Sequence, residues 1–297
     1  MNFTCQIPGK IILFGEWSVL YNHKAVSIPI NQYLHLKTCE SDNPKIKIDD
    51  KTSIQTSELI SNDEPDFFFS KKSIQNLDLE FLLKKHSFIL KKNWKTDYGL
   101  GSSSACFAAF VLLKVYTQKK SLSKTQLFNE FWPILKKIQA GGSGIDFATQ
   151  MYQHPLIYSQ NQKDTKKLSD FKLPNNIFFI HTGQKTSTRK ALKSTQPLNQ
   201  HILALAQSTA QFIDNRNWAQ AINQHFEIQR KMDIISNELE QNIIALKETN
   251  GVQAVKTTGA GGGDCLMVLT QSPKHKDNVL RFCQEMKWTL KSYNIHN

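Results

Sequence analysis

The sequence predicts an α+β fold in two domains, on three observations. Apolar runs of four to six residues at 11–14, 177–181 and 265–270 are bounded by glycine, proline or polar residues, as strands are. Longer segments repeat apolar residues at three- and four-residue intervals, as helices with one buried face do. A polar stretch, QNQKDTKKLSD at 160–170, separates two strand-like runs and has little to bury. The division is expected there, giving domains 1–165 and 166–297.

Residues 11–14 (IILF) read as a buried strand leaving a turn, with PGK before and Gly15-Glu16 after. Residues 26–30 give a second strand, and KIKID at 45–49 alternates in a strand-like way. Residues 52–66 read as a loop or a weakly packed helix. From the serines at 102–104 onward, ACFAAFVLLKVY lacks proline and glycine, as a helix packed on both sides requires. Another helix follows a cap at Ser123, with Phe128, Phe131, Leu135 and Ile138 on one face and Pro133 giving a kink or a late start. A short helix over 147–152 and a strand ending near Ser159 close the first half. The second half reads as a strand at 177–181, a helix at 200–213 and one long helix over 218–246. Strands then flank GAGGGD, and a final helix runs from about 275 to 288.

The 297 residues include 37 Lys or Arg and 25 Asp or Glu, for a net charge of +12, with 40% hydrophobic and 10% aromatic residues. That composition supports a sizeable core and excludes wholesale disorder. The longest apolar stretch, residues 105–113, is less than half the ~20 residues of a membrane span, so no membrane partner is expected. MNFTCQIPGK has no basic segment followed by an apolar one, which makes the cytoplasm the expected location. Five cysteines, odd in number and without a CxxC pair, disfavour a disulfide framework or a zinc site. The positive balance suits nucleic acid, an anionic surface or acidic small substrates. The lysines are scattered and no RNP, KH or zinc pattern appears, so a basic nucleic-acid-binding protein without turnover is a remote alternative.

Three glycine-bearing segments carry the chemistry. In PGKIILFGEW, residues 8–17, Lys10 precedes the first strand; a solvated lysine would explain it equally well. In YGLGSSSA, residues 98–105, Gly99, Leu100, Gly101, Ser102, Ser103 and Ser104 stand directly before an apolar helix. Successive backbone N–H groups and the helix N-terminus there form an anion cradle, although a structural cap has the same composition. The segment is neither a Walker loop nor a dinucleotide fingerprint. TTGAGGGDC, residues 257–265, has four glycines among five residues between strands, and each costs about 0.5–1 kcal/mol relative to alanine in regular structure. Close backbone approach to a partner is the reading that explains them.

In this order, the three segments resemble the three motifs of the GHMP kinase superfamily, small-molecule kinases that include galactokinase, homoserine kinase, mevalonate kinase and phosphomevalonate kinase. The resemblance spans nearly the whole chain. It implies an N-terminal ribosomal-protein-like β-α domain, a C-terminal ferredoxin-like domain, ATP between them, and Mg²⁺. Residues 99–104 would wrap the ATP phosphates, with Ser103 as the Mg²⁺ ligand. GGSGIDFATQMY, residues 141–152, is similar to the family's serine-glycine-x-aspartate segment, so Asp146 matches the catalytic base and Lys10 the group that stabilises the transferring phosphoryl. A helix cap would also explain Asp146.

The acceptor side implied by the resemblance comprises Tyr21, Ser143, Gly144, Gly259, Ala260 and Gly261. It also includes Lys185, Ser187, Thr188 and Arg189 of HTGQKTSTRK, where a solvated basic turn is the alternative. Asp264, where many mevalonate kinases carry a fourth glycine, favours phosphomevalonate as acceptor, with mevalonate the alternative. Leu135 stands where mevalonate kinases commonly carry a glutamate for Mg²⁺, and Glu130 is the nearest carboxylate upstream. Residues 67–72 are adenine-pocket candidates by position only. The expected assembly is a monomer or homodimer.

Overall fold

The structure is a computed structural model that describes residues 2–49, 54–56, 65–139, 142–161, 165–183, 198–259 and 261–296. The chain forms two compact units from interleaved segments. One comprises Met1–Lys10, Asn31–Lys95 and Leu100–Gln153; the other comprises Ile11–Ile30, Thr96–Gly99 and His154–Asn297. The sequence suggested a single cut after residue 165. The interleaving arises because two long strands, β1 (Phe3–Phe14) and β2 (Ala25–Glu40), each contribute residues to both units.

In the first unit, the C-terminal half of β2 pairs antiparallel with β5 (His86–Lys92). β3 (Lys45–Ile48) lies parallel to β5 and antiparallel to the two-residue β4 (Ile54–Gln55). Among the described residues these strands are accompanied by α1 (Pro65–Asn76), α2 (Ser102–Thr117), α3 (Lys124–Gln139) and α4 (Ile145–Tyr152). α2 is apolar on nearly every face and buries Phe107 and Phe110 completely. The Phe107 and Phe128 rings meet Phe147 of α4 at 5.5 and 5.7 Å between centroids. Such aromatic pairs add about 0.5–1.5 kcal/mol each beyond area burial, and they fix α4 against α2 and α3. α3 starts at a capping box: Gln126 N–H donates to Ser123 Oγ at 3.3 Å, while Ser123 N–H donates to Gln126 Oε1 at 2.8 Å. Pro133 lies inside α3, which continues through it.

In the second unit, residues 25–27 of β2 pair with β6 (Leu156–Tyr158), which pairs with β7 (Lys166–Lys167). A separate antiparallel sheet has the order β11-β8-β10-β9, formed by β8 (Ile177–His181), β9 (Val252–Thr257), β10 (Cys265–Thr270) and β11 (Thr289–Lys291). Its helices are α5 (Asn199–Asn215), α6 (Trp218–Lys231), α7 (Asn237–Glu248) and α8 (Lys276–Glu285). Phe226, Leu239, Ile243, Val255, Val268 and Val279 share the main core of this sheet and its helices. The single long helix expected over 218–246 is two helices. Asp233 takes a left-handed φ of 55°, and Ser236 starts α7 by accepting the Leu239 N–H at 3.3 Å. The apolar stripe persists through the break, which is why periodicity alone does not reveal it.

No described helix is long and apolar enough to cross a membrane. All five cysteines are unbridged, and Cys106, Cys265 and Cys283 are buried.

Candidate active site

The first unit brings Lys10, Asp146 and the start of α2 together. Lys10 lies in β1, buried to 5% exposure, with its backbone N–H donating to the Leu100 carbonyl at 3.1 Å. Its Nζ is 3.0 Å from Asp146 Oδ1, while the Asp146 side chain keeps 37% exposure. A buried cation thus holds a carboxylate that still reaches solvent. Asp146 occupies the first turn of α4, where the helix dipole favours a negative charge. Gly144, with φ +84°, is the N-cap, and Ser143 Oγ accepts the Ile145 N–H at 3.4 Å.

Gly101 is the N-cap of α2, with φ +81°. A Cβ at this position would lie 3.0 Å from both Lys10 Cε and Gln150 Nε2, a tight contact with side chains that can yield, and the left-handed backbone conformation favours glycine. Gly101 has no side chain to cap the helix, so the N–H groups of the first turn are available to an outside anion. Ser102 Oγ accepts from the Trp94 indole at 2.9 Å. Ser103 is exposed, whereas the Ser104 hydroxyl is buried without a hydrogen-bond partner among the described residues. Unpaired donors and a glycine cradle suit a phosphate chain.

For Mg²⁺, the fit is partial. The exposed Ser103 hydroxyl is a usable ligand, and Mg²⁺ keeps several waters. Leu135 is 1% exposed in the core and Glu130 is solvated on α3. No group of three or more His, Cys, Asp or Glu that could hold a metal occurs among the described residues.

The second unit carries the remaining motif residues. The turn after β1 is clamped: Gly15 N–H donates to His225 Nε2 at 3.4 Å, and Ser18 Oγ donates to the Gly15 carbonyl at 3.3 Å. With Nε2 accepting, Nδ1 carries the His225 proton and donates to the Ala221 carbonyl at 2.9 Å. Burial, with Lys256 nearby, pushes the His225 pKa down to about 3. Glu16 pairs with Lys256 Nζ, which also donates to the Thr257 carbonyl at 2.8 Å and lies 5.6 Å from the Phe14 ring centroid. Lys256 is 0% exposed, and burial lowers its pKa against the opposing pull of Glu16. This pair ties the first motif to the strand that leads into the third.

Tyr98 stacks on His181 at 3.9 Å and 7°, and His181 Nε2 is 2.7 Å from the Tyr293 hydroxyl. Burial, with the Lys291 charge, pushes the His181 pKa down to about 4. Asp264 packs beside Gly99, and Thr182 Oγ1 donates to the Gly263 carbonyl at 2.6 Å. Gly259 and Gly261 both have positive φ, and Tyr21 is 46% exposed in a short 3-10 turn. Lys185, Ser187, Thr188, Arg189 and Ala260 lie outside the described residues. Of the site's supports, Gln150 had a sequence signal, standing four residues after Asp146; Trp94 and Lys256 had none.

The family profile for the GHMP kinases C-terminal domain matches residues 204–287. The curated mevalonate kinase of Methanocaldococcus jannaschii is 24% identical over 92% of this chain and 93% of its own. The crystal structure of the Methanococcus jannaschii mevalonate kinase superposes with a TM-score of 0.80 at 19% identity, covering 100% of this chain and 99% of that one. The chain thus has the fold of these kinases and carries a match to the GHMP kinases C-terminal family over residues 204–287. Among GHMP kinases the fold also matches Streptococcus pneumoniae phosphomevalonate kinase in complex with phosphomevalonate and AMPPNP, at a TM-score of 0.75, 16% identity and 99% coverage of both chains. The two-domain α+β GHMP kinase architecture expected from the motifs is the one observed.

Proposed function

We propose that this protein is a GHMP kinase that transfers the γ-phosphoryl group of ATP to the 5-hydroxyl of mevalonate, giving 5-phosphomevalonate and ADP. The carrying observation is the Lys10–Asp146 contact at 3.0 Å beside the uncapped N-terminus of α2. Asp146 takes the acceptor's proton as its oxygen bonds to phosphorus and the bond to the β-γ bridging oxygen breaks. Lys10 stabilises charge on the transferring group and orients the carboxylate. First-turn N–H groups of α2, with Leu100 and Gly101 leading in, would bind the phosphates, and Ser103 would hold Mg²⁺. Bound Mg²⁺ would neutralise part of the phosphate charge. Ser143 and Gly144 are the acceptor contacts nearest Asp146 in sequence.

Mevalonate is placed first because curated relatives covering nearly the whole chain carry that name. This reverses the order expected from Asp264. Phosphomevalonate, converted to the diphosphate, is the second reading, favoured by buried Leu135 where mevalonate kinases commonly carry a metal-binding glutamate. An ADP-release assay with mevalonate, phosphomevalonate, homoserine and galactose in parallel, with and without Mg²⁺, decides between them. Turnover with mevalonate alone supports the first reading. Turnover with phosphomevalonate alone replaces it by the second, and no turnover with either removes both.

A further inference from the structure

Gln150 follows Asp146 by one turn of α4 and is completely buried. Its Nε2 donates to the Gly101 carbonyl at 3.1 Å. The same carbonyl accepts the Ala105 N–H at 2.9 Å, the first rung of α2. The other half of the amide, Oε1, has no hydrogen-bond partner among the described residues. A buried amide with half its capacity unmet is costly, and an apolar side chain of similar volume would avoid that cost. A core position would therefore favour leucine or methionine, so the donor is what distinguishes glutamine here.

The hypothetical Gly101 Cβ would meet Gln150 Nε2 and Lys10 Cε at equal distances of 3.0 Å, so the amide, the glycine and the lysine stem share one packed spot. We infer that Gln150 is a positioning residue: it ties the helix bearing Asp146 to the N-cap of the phosphate-loop helix, so that base, lysine and cradle keep one geometry. This inference depends on the kinase reading above, with α2 as the phosphate site.

The test compares the full-length wild type with Gln150→Met, which keeps volume and removes the donor. Measured are KM for ATP, KM for the accepted substrate, kcat, Kd for ADP with Mg²⁺ by calorimetry, and the urea midpoint. Losing one neutral hydrogen bond from the cradle is expected to raise the ATP KM and the ADP Kd by about three- to tenfold, with acceptor KM unchanged. Thr149→Val is the control. It removes a buried hydroxyl that donates to the Ile145 carbonyl at 2.7 Å on the same helix, and it is expected to move the urea midpoint but neither nucleotide constant. Gln150→Glu, which keeps the shape and sets a carboxylate against the Gly101 carbonyl, is expected to raise the ATP KM further and serves if the methionine variant does not fold. Wild-type nucleotide constants in folded Gln150→Met and Gln150→Glu would reduce Gln150 to a packing role and overturn the inference alone. A wild type that binds no ADP would overturn it together with the kinase reading.

Discussion

Substituting Gly101 with alanine tests the site's geometry most directly. Holding a non-glycine residue at φ +81° costs about 1–2 kcal/mol. The added methyl would also stand 3.0 and 3.2 Å from Lys10 Cε and Cγ and 3.0 Å from Gln150 Nε2. These are side-chain atoms, so the lysine stem and the amide give way by a few tenths of an ångström and the backbone stays. The stability loss should therefore be limited to the backbone term of about 1–2 kcal/mol. The same shift has a catalytic cost: since a misplacement of about 1 Å can lower a rate by about 10²-fold, a few tenths of an ångström at the lysine stem should lower kcat/KM by about three- to tenfold, on the order of 1 kcal/mol. Gly183 supplies the control, with φ +78° and nothing among the described residues within 4 Å of its hypothetical Cβ. Urea unfolding and a coupled ADP-release assay on both variants separate the two effects. Equal stability losses, with about a three- to tenfold fall in kcat/KM for Gly101→Ala only, are expected. A Gly101→Ala enzyme with wild-type kcat/KM would refute the claim that this glycine sets the position of Lys10.

Asp146→Asn and Lys10→Ala should each lower kcat by about 10²-fold or more while changing ADP affinity by less than about tenfold, as measured by steady-state kinetics and calorimetry; a wild-type rate in either removes that residue from the mechanism. Lys256→Met leaves Glu16 buried without its cation and should cost about 3–5 kcal/mol in urea unfolding, whereas Glu16→Leu with Lys256→Met should recover most of that. His181 and His225 have folded pKa values near 4 and 3, below the unfolded ~6.5, so the unfolded chain takes up protons first as pH falls. Stability is then full above about pH 6.5 and declines towards pH 4, by roughly 2 kcal/mol per histidine between pH 7 and pH 5. His181→Gln should flatten that urea-midpoint profile, and an unchanged slope would show that His181 is not one of its sources.

Much of the second unit was readable because its strands are short, apolar and glycine-bounded; residues 177–181 and 265–270 match the observed strands at both ends. The first unit was less so. β2 runs for 16 residues through mixed polar and apolar positions, and β5, HSFILKK, is flanked by charge instead of turn residues, so neither stood out as a long paired strand. The break between α6 and α7 lacks glycine or proline and rests on Asp233 and Ser236, both ordinary on a helix surface. At the candidate site, Lys10 and Asp146 were picked out by their place in segments that resemble the GHMP kinase motifs, since a solvated lysine and a helix cap have the same local pattern. Gln150 is marked only by its one-turn spacing from Asp146, and Trp94 and the Glu16–Lys256 pair act through tertiary contacts between segments distant in sequence, which local patterning does not encode.

The shared strands constrain how the molecule is made. Residues Ile11–Ile30 belong with His154–Asn297, and Ile30 bridges to Ile295 while the His296 amide donates to the Pro29 carbonyl. During synthesis these early residues must leave the ribosome long before their partners exist, so the second unit cannot close until almost the whole chain has emerged. Contacts of such sequence separation make folding slow and expose unpaired strand edges meanwhile. Expression of either half as an isolated fragment should yield an incomplete sheet with an adhesive edge, and chaperone demand should be high while translation is in progress.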